Sequence, residues 1–483
     1  MTARIAVRVA GSYGPATRLA ERVAVSVAFA LNGFLFGNWV GRIPAAADLV
    51  HASPAVLGLV LLAIVGGATP TMPVVGRLCA RWTSRTVTRA FAVAFPLTLP
   101  VVAFGALSGS PLALAGTLVL LGIGNAGMDV SMNANAVAAI SRAKEPWMPS
   151  FHGMWSLGGM LGAATGGLAA GVGLGILPHF AIAAAIGLGL GLVAGRRLAP
   201  DPPEVAAEPR VAAEPRVTGE PRVAGAAPGA VSAAAPAGSG GAAGSGGAAG
   251  SGGAAGSGGA AGSGGAAGSG GAAGSAGVTG SAGRRRRIRN ALAGRIDRIL
   301  LVFGAIGFCS ALGEGAMADW TALYLRDVLG SGEGLATVGF VAFSVGMAGT
   351  RFVGGAILRR WDPARVLAGG CLLAAAGVIL GVAAPVAAVA VIGFLAVGVG
   401  LSCAFPVVFN AAGAHRFGSG PAISIVSTLG YTGFLAGPPL IGLLAELTGL
   451  RWALLPVAVA AAAGAVLAVR FRSALRLHDP SRA

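Results

Sequence analysis

Charge is what this sequence has least of. Only 11% of its 483 residues are Asp, Glu, Lys or Arg, where a soluble globular chain carries about 25%. So sparse a set cannot solvate a surface, which excludes a soluble domain. Lysine is nearly missing: Lys144 stands alone in the setting Arg142-Ala-Lys-Glu145, without the glycine that precedes the lysine of a phosphate-binding loop. ATP-driven pumping by this chain is thereby excluded. The four cysteines, Cys79, Cys309, Cys371 and Cys403, are widely separated, which leaves neither a disulfide framework nor a zinc site. No His/Glu/His helix, metal cluster or nucleophile arrangement occurs, so no metal, no cofactor and no enzymatic activity are expected. Gly122-Ile-Gly-Asn-Ala-Gly127 fits the dinucleotide pattern but sits in an apolar run with no strand before it.

What is abundant is hydrocarbon. Apolar runs of membrane-spanning length fall near 23–41, 54–75, 87–107, 112–140, 151–171 and 176–195, and again near 299–325, 335–357, 364–384, 387–412, 421–445 and 451–470. The expected fold is an all-α membrane protein of twelve transmembrane helices in two six-helix halves, 23–197 and 291–471. Tails at 1–22 and 472–483 and a linker at 198–290 complete the domain organisation. The run from Val23 has no small-residue cleavage site after it, so it reads as an uncleaved first span.

The net charge of +17 is parcelled between spans rather than gathered on one polar face, which argues against a nucleic-acid partner. With both termini cytoplasmic, 30 of the 34 basic residues fall in loops and tails on that side and Arg42, Arg326 and Arg451 on the other, with Arg351 inside span 8. This asymmetry orients a multi-pass plasma-membrane protein. The linker holds Glu-Pro-Arg-Val three times from Glu208, Glu214 and Glu220, then Ser-Gly-Gly-Ala-Ala-Gly six times over 239–274, a composition expected to be flexible. Arg284–Arg287, which ends it, is expected to meet anionic lipid.

The halves echo each other. Gly76, Arg81, Trp82 and Val87 recur as Gly355, Arg360, Trp361 and Val366 at a constant offset of 279, and Asn38-Trp39 has a counterpart in Asp319-Trp320. Duplicated halves imply a carrier with its site near mid-membrane between them.

Ionisable groups inside a bilayer are costly and mark candidate sites. Asp129 and Glu314 are the proton-coupling candidates, because an acid exposed in turn to two aqueous sides can bind a proton on one and release it on the other. Asn125, Asp129 and Asn133 recur every four residues on one face of span 4, suited to a polyhydroxylated solute or to holding that helix to its neighbours. Asn38, Trp39, His152, Trp155, Asp319 and Trp320 are further solute-binding candidates. For Asp319 the alternative is an outer-gate partner of Arg42 or Arg326; for Trp39 and Trp320 it is the interfacial aromatic belt. Gly76, Arg81, Arg85, Arg351, Gly355 and Arg360 read as gate or structural residues.

On these features the chain resembles the major facilitator superfamily, over all of it except the linker. That family's signature after helix 2 is matched by Gly76, Arg81 and Arg85, with Ala80 in place of its acid and Thr83 in place of its glycine; Arg359 and Asp362 hold those places in the second half. Gly37-Asn-Trp-Val-Gly-Arg-Ile-Pro44, Met128-Asp-Val-Ser-Met-Asn133, Ser150-Phe-His-Gly-Met-Trp-Ser156 and Glu314-Gly-Ala-Met-Ala-Asp-Trp320 are similar to the MosC-like branch, which includes a protein associated with uptake of rhizopine, an inositol derivative. Gly158-Gly-Met-Leu-Gly162-Ala-Ala-Thr-Gly166-Gly167 is similar to the antiporter motif of drug exporters, and also suits close helix packing. The resemblance, with the intramembrane acids and the polar stripe of span 4, points to proton-coupled uptake of a small sugar- or cyclitol-like solute by a carrier for which a monomer suffices and whose other partners are protons and membrane lipids. The alternatives are proton-antiport efflux of an amphipathic compound and a transporter-derived sensor signalling through the linker.

Overall fold

The computed structural model describes residues 14–145, 147–201, 298–413 and 419–476. Expectations for the tails at 1–13 and 477–483 and for the linker from 202 onward, with its repeats and Arg284–Arg287, fall outside the described residues.

Among the described residues twelve helices of 15 residues or more follow one another: α1 (Pro15–Val40), α2 (Pro54–Trp82), α3 (Ser84–Leu107), α4 (Pro111–Ala143), α5 (Met148–Gly171), α6 (Ile176–Gly195), α7 (Arg298–Leu323), α8 (Val338–Arg360), α9 (Pro363–Ala383), α10 (Ala387–Leu401), α11 (Ser419–Thr448) and α12 (Leu455–Arg470). Among the described residues, eleven spans are long and apolar enough to cross a membrane. Helix α5 has 24 residues but a lower hydropathy, diluted by seven glycines and by His152, Ser156 and Thr165.

Local chemistry sets the starts. Ser110-Pro111 and Asp362-Pro363 open α4 and α9: the side chain accepts a backbone N–H of the first turn, from Ala113 at 3.4 Å and from Ala364 at 2.8 Å. Proline occupies a position whose N–H has no helical partner anyway. Helix α1 begins at Pro15, ahead of the apolar run, because its polar first turns are docked: Glu21 pairs with Arg142 and the Arg22 guanidinium lies 5.4 Å from the Trp147 ring centre. The tenth span is broken. Its helix stops at Leu401 and resumes as Ala404–Gly413; Pro406 in the first turn of the second piece offers no N–H to the Ser402 carbonyl, and Ser402 Oγ donates to Val399 O at 2.7 Å. At the end of α7 a π-turn, Tyr324–Val328, widens the helix, and Tyr324 Oη donates to Gly381 O at 2.9 Å.

Duplication governs the packing. Helix α1 packs on α5 as α7 does on α11; α2 on α4 as α8 on α10; α3 on α4 and α6 as α9 on α10 and α12. The halves meet through α2 against α11 and α5 against α8, two pairs that the pseudo-twofold exchanges. The α5 glycines bring α1 and α5 into backbone contact: a methyl built on Gly162 would run into the Phe34 carbonyl, and one on Gly33 into that of Trp155. The glycine motif therefore serves helix packing here.

With an even number of spans, both ends of the described chain lie at one end of the bundle, called here the terminal end. There Thr83, at the family's glycine position, takes the left-handed φ of +79°. Asp201, which comes after α6, caps α3 by accepting Ser84 N at 2.6 Å and the Ser84 hydroxyl. Asn135 Nδ2 donates to Ala199 O at 2.8 Å and Arg142 Nη1 to Pro200 O at 3.0 Å. Residues 198–201, assigned to the linker by composition, are thus a strap fixed to the first half, with Leu198 and Ala199 buried.

Candidate functional site

Between the halves lies a cavity of about 130 Å³. Its walls come from α1 (Gly33, Phe36), α2 (Leu61, Ile64, Val65), α5 (Trp155, Ser156, Gly159), α7 (Glu314, Gly315, Ala318, Asp319), α8 (Phe340, Phe343, Ser344, Met347, Arg351) and α11 (Phe434, Pro438). On α7 the lining residues are adjacent or four apart, which is one helical face.

A polar chain crosses this cavity. Ser310 Oγ donates to Glu314 Oε1 at 3.2 Å, Arg351 Nη2 stands 3.7 Å from Glu314 Oε2, and Arg351 Nη1 donates to Ser156 Oγ at 3.3 Å. Glu314 and Arg351 belong to the second half and Ser156 to the first, so the ion pair is tied across the boundary. Beside it, Trp155 Nε1 donates to Asn32 Oδ1 at 2.7 Å and Asn32 Nδ2 to Asn125 O at 3.2 Å. Asp319 lines the cavity, is 9% exposed, and makes no hydrogen bond or ion pair with another described residue.

The other candidates are placed elsewhere. Asn133 Nδ2 donates to Asp129 Oδ1 at 3.1 Å and to its carbonyl at 2.9 Å, while the buried Asn125 Oδ1 has no partner among the described residues; none of the three is in the cavity lining. Asn38 is a packing residue: its Oδ1 meets His179 Nε2 at 2.8 Å and Thr165 Oγ1 at 3.2 Å. His152 packs edge-on to Phe29 with ring centres 5.2 Å apart. Trp39 and Trp320 are neither in a lipid-facing belt nor at the cavity; both are buried in the core with their indole N–H unpartnered among the described residues.

At the distal end, opposite the termini, the halves are sealed. Arg326 forms a two-pronged bond with Asp48, Nη1 to Oδ2 at 2.6 Å and Nη2 to Oδ1 at 3.0 Å. The backbones of Gly58 and Pro438, and of Gly171 and Gly334, are in close contact, and Ala55 N donates to Glu446 Oε2 at 3.3 Å. The Arg42 guanidinium donates to Leu174 O; burial holds its pKa below the ordinary value, with Glu333 of the other half pulling the opposite way. The Asp319 outer-gate pairing is therefore corrected: Arg326 takes Asp48 and Arg42 takes a carbonyl.

Of the gate residues, Arg351 reaches across the halves. Arg85 Nη2 donates to Arg196 O at 3.1 Å within its own half, and Arg81 lies 5.8 Å from the neighbouring Trp82 ring centre. Gly76, Gly355 and Arg360 are exposed, and Gly76 faces open space. Sequence reasoning missed Asn32, Asp48, Ser156 and His179. Asn32 carried a signal, as an amide inside an apolar span.

If the seal sets the resting shape, Asp48→Asn shifts molecules towards opening at the distal end, by up to about fivefold for an ion pair of this exposure. Distances between spin labels at Val56→Cys and Leu447→Cys should then show a longer component, and an unchanged distribution refutes it.

The sequence profile of the Major Facilitator Superfamily matches residues 25–420 and 307–482. An uncharacterized transporter of Sinorhizobium fredii, y4wD, is 29% identical over 92% of this chain and 96% of its own length. Membrane protein MosC of Rhizobium meliloti is 27% identical over 93% of this chain and 90% of its own. Among solved structures, the nucleoside transporter NupG superposes with a TM-score of 0.59 at 12% identity, over 95% of this chain and 99% of that one. A bacterial homolog of the human lysosomal transporter Spinster, in an inward-facing and unoccupied conformation, gives 0.61 at 15% identity, over 96% and 100%.

Proposed function

The chain belongs to the Major Facilitator Superfamily and is a membrane transporter, and from that premise we propose that it takes up a small solute together with protons by alternating access at the central cavity. The observation that carries this reading is the Ser310–Glu314–Arg351–Ser156 chain across the boundary of the halves. A proton arriving at Glu314 removes the charge that holds Arg351, and so alters the link between the halves where a solute would sit. The distribution of Arg and Lys supports a cytoplasmic terminal end, which makes the sealed distal end external and this state inward-facing.

The solute class narrows with the walls. The amides that favoured a sugar or cyclitol lie outside the lining, while Phe36, Phe340, Phe343 and Phe434 line it, which favours a solute with an apolar body. That same observation favours, as the second reading, proton-antiport export of an amphipathic compound.

The test is proton flux into proteoliposomes with a lumenal pH dye, scanned over inositol derivatives, sugars and single-ring amines under imposed solute gradients. Uptake predicts proton movement in the direction of the solute, lost in Glu314→Gln and kept in Asp129→Asn. Proton movement opposite to the solute makes the protein an exporter, and solute equilibration without proton movement overturns the coupling.

A further inference from the structure

Two carboxyl groups and one guanidinium line the cavity, and the charges are unevenly matched. Glu314 has Arg351 as counter-ion. Asp319, nine-tenths buried on the same face of α7, has no hydrogen-bonding or charged partner among the described residues. A buried carboxylate without a partner is costly, and the cost is removed when a cation or a set of donors comes to it. We propose that Asp319 is the binding point for the positively charged end of the solute, and that the solute is an organic ammonium ion with a single-ring apolar body. The proposal rests on the cavity being the transport site.

The surroundings decide which cation fits. A hard metal ion seeks roughly six to eight oxygen ligands, whereas this cavity is walled mainly by rings and aliphatic groups, and no cluster of three or more His, Cys, Asp or Glu occurs among the described residues. Phe340 and Phe343, with ring centres 5.9 Å apart, and Phe434 all line the cavity, and the negative face of such a ring attracts an ammonium group and not a neutral alcohol. The volume, about 130 Å³, resembles that of an engineered cavity of roughly 150 Å³ that takes up benzene. One carboxylate, several rings and space for one ring describe a site for an arylalkyl ammonium ion. Arg351, neutralised by Glu314, leaves the cavity with an excess of one negative site for it to fill.

The test is equilibrium binding to the purified full chain in detergent, by calorimetry, with 2-phenylethylammonium and phenyltrimethylammonium as probes and 2-phenylethanol and phenylacetate as neutral and anionic controls. Saturable binding of the ammonium probes, at least tenfold tighter than that of either control, is expected. Asp319→Asn should weaken it by roughly 30-fold or more, the loss usual when one partner of a buried charge pair is truncated, while Asp319→Glu, which keeps the charge, retains measurable binding and reports that the site is still folded. Three results of the binding experiment overturn the proposal: no saturable binding of either ammonium probe, controls that bind as well as the probes, or undiminished binding to Asp319→Asn, which would make Asp319 a site for a proton alone. Binding at equilibrium needs no proton movement. Ammonium binding that depends on Asp319, in a protein that fails the flux test, upholds this proposal and removes proton coupling; proton-coupled flux of a neutral solute does the reverse.

Discussion

Glu314→Gln is expected to lower the stability of the purified protein by about 1–3 kcal/mol, between the cost of breaking an exposed and a fully buried ion pair from one side, and Arg351→Gln is expected to lower it by less. The asymmetry comes from chemistry. Both side chains are about 15% exposed, so whichever is left alone is held away from water. A carboxyl group can give up its charge by binding a proton, whereas a guanidinium stays charged at any working pH. Stranding Arg351 is therefore worse than stranding Glu314. The double variant Glu314→Gln/Arg351→Gln should recover most of the loss, because two neutral amides can still bond to each other and to Ser310 and Ser156. Chemical unfolding followed by tryptophan fluorescence gives the order, and equal destabilisation by the two single variants would mean that the pair is not desolvated. Folding and transport separate here: the double variant is expected to be stable and to have lost proton coupling.

The same substitution at two glycines is expected to act with opposite sign. Gly162→Ala places a methyl against the Phe34 carbonyl and the Asn38 amide nitrogen, so α1 and α5 must separate, at an overpacking cost of about 1–3 kcal/mol. Gly76 also lies inside a helix but faces open space, so Gly76→Ala should gain about 0.5–1 kcal/mol from reduced backbone freedom in the unfolded chain. Thermal midpoints in one detergent compare the two. A gain at Gly162 would show that the backbones of α1 and α5 are not in contact there.

The architecture was legible in the sequence because spanning a bilayer imposes a length and a composition that no tertiary contact is needed to reveal. The twelve apolar runs, the Ser-Pro and Asp-Pro helix starts and the offset of 279 between the halves all carry over into α1–α12 and their repeated packing. Helix ends were less legible. Hydropathy ends where the polar residues begin, but α1 continues outward through Glu21 and Arg22 because those residues have partners on other segments.

The polar lining of the cavity was legible by residue and not by pairing. Glu314, Asp319, Trp155 and Arg351 each stand out as polar or aromatic groups in apolar runs, yet nothing local says that Glu314 meets Arg351 or that Arg351 reaches Ser156, 195 positions away. Periodicity placed Asn125, Asp129 and Asn133 on one face of α4, but it does not tell which neighbour that face meets. Asp48 had no local signal at all, since its meaning comes from Arg326, 278 positions later.

The strap after α6 has a mechanical consequence. Arg196, Ala199, Pro200 and Asp201 are bonded in turn to Arg85, Asn135, Arg142 and Ser84, all on α3 and α4. Tension applied to the chain beyond Asp201 is shared among these anchors before it can reach α6, much as a clamp takes the load off a cable joint. A pull on the long connection is in this way borne by the first half as a body, and α6 keeps its place against α3.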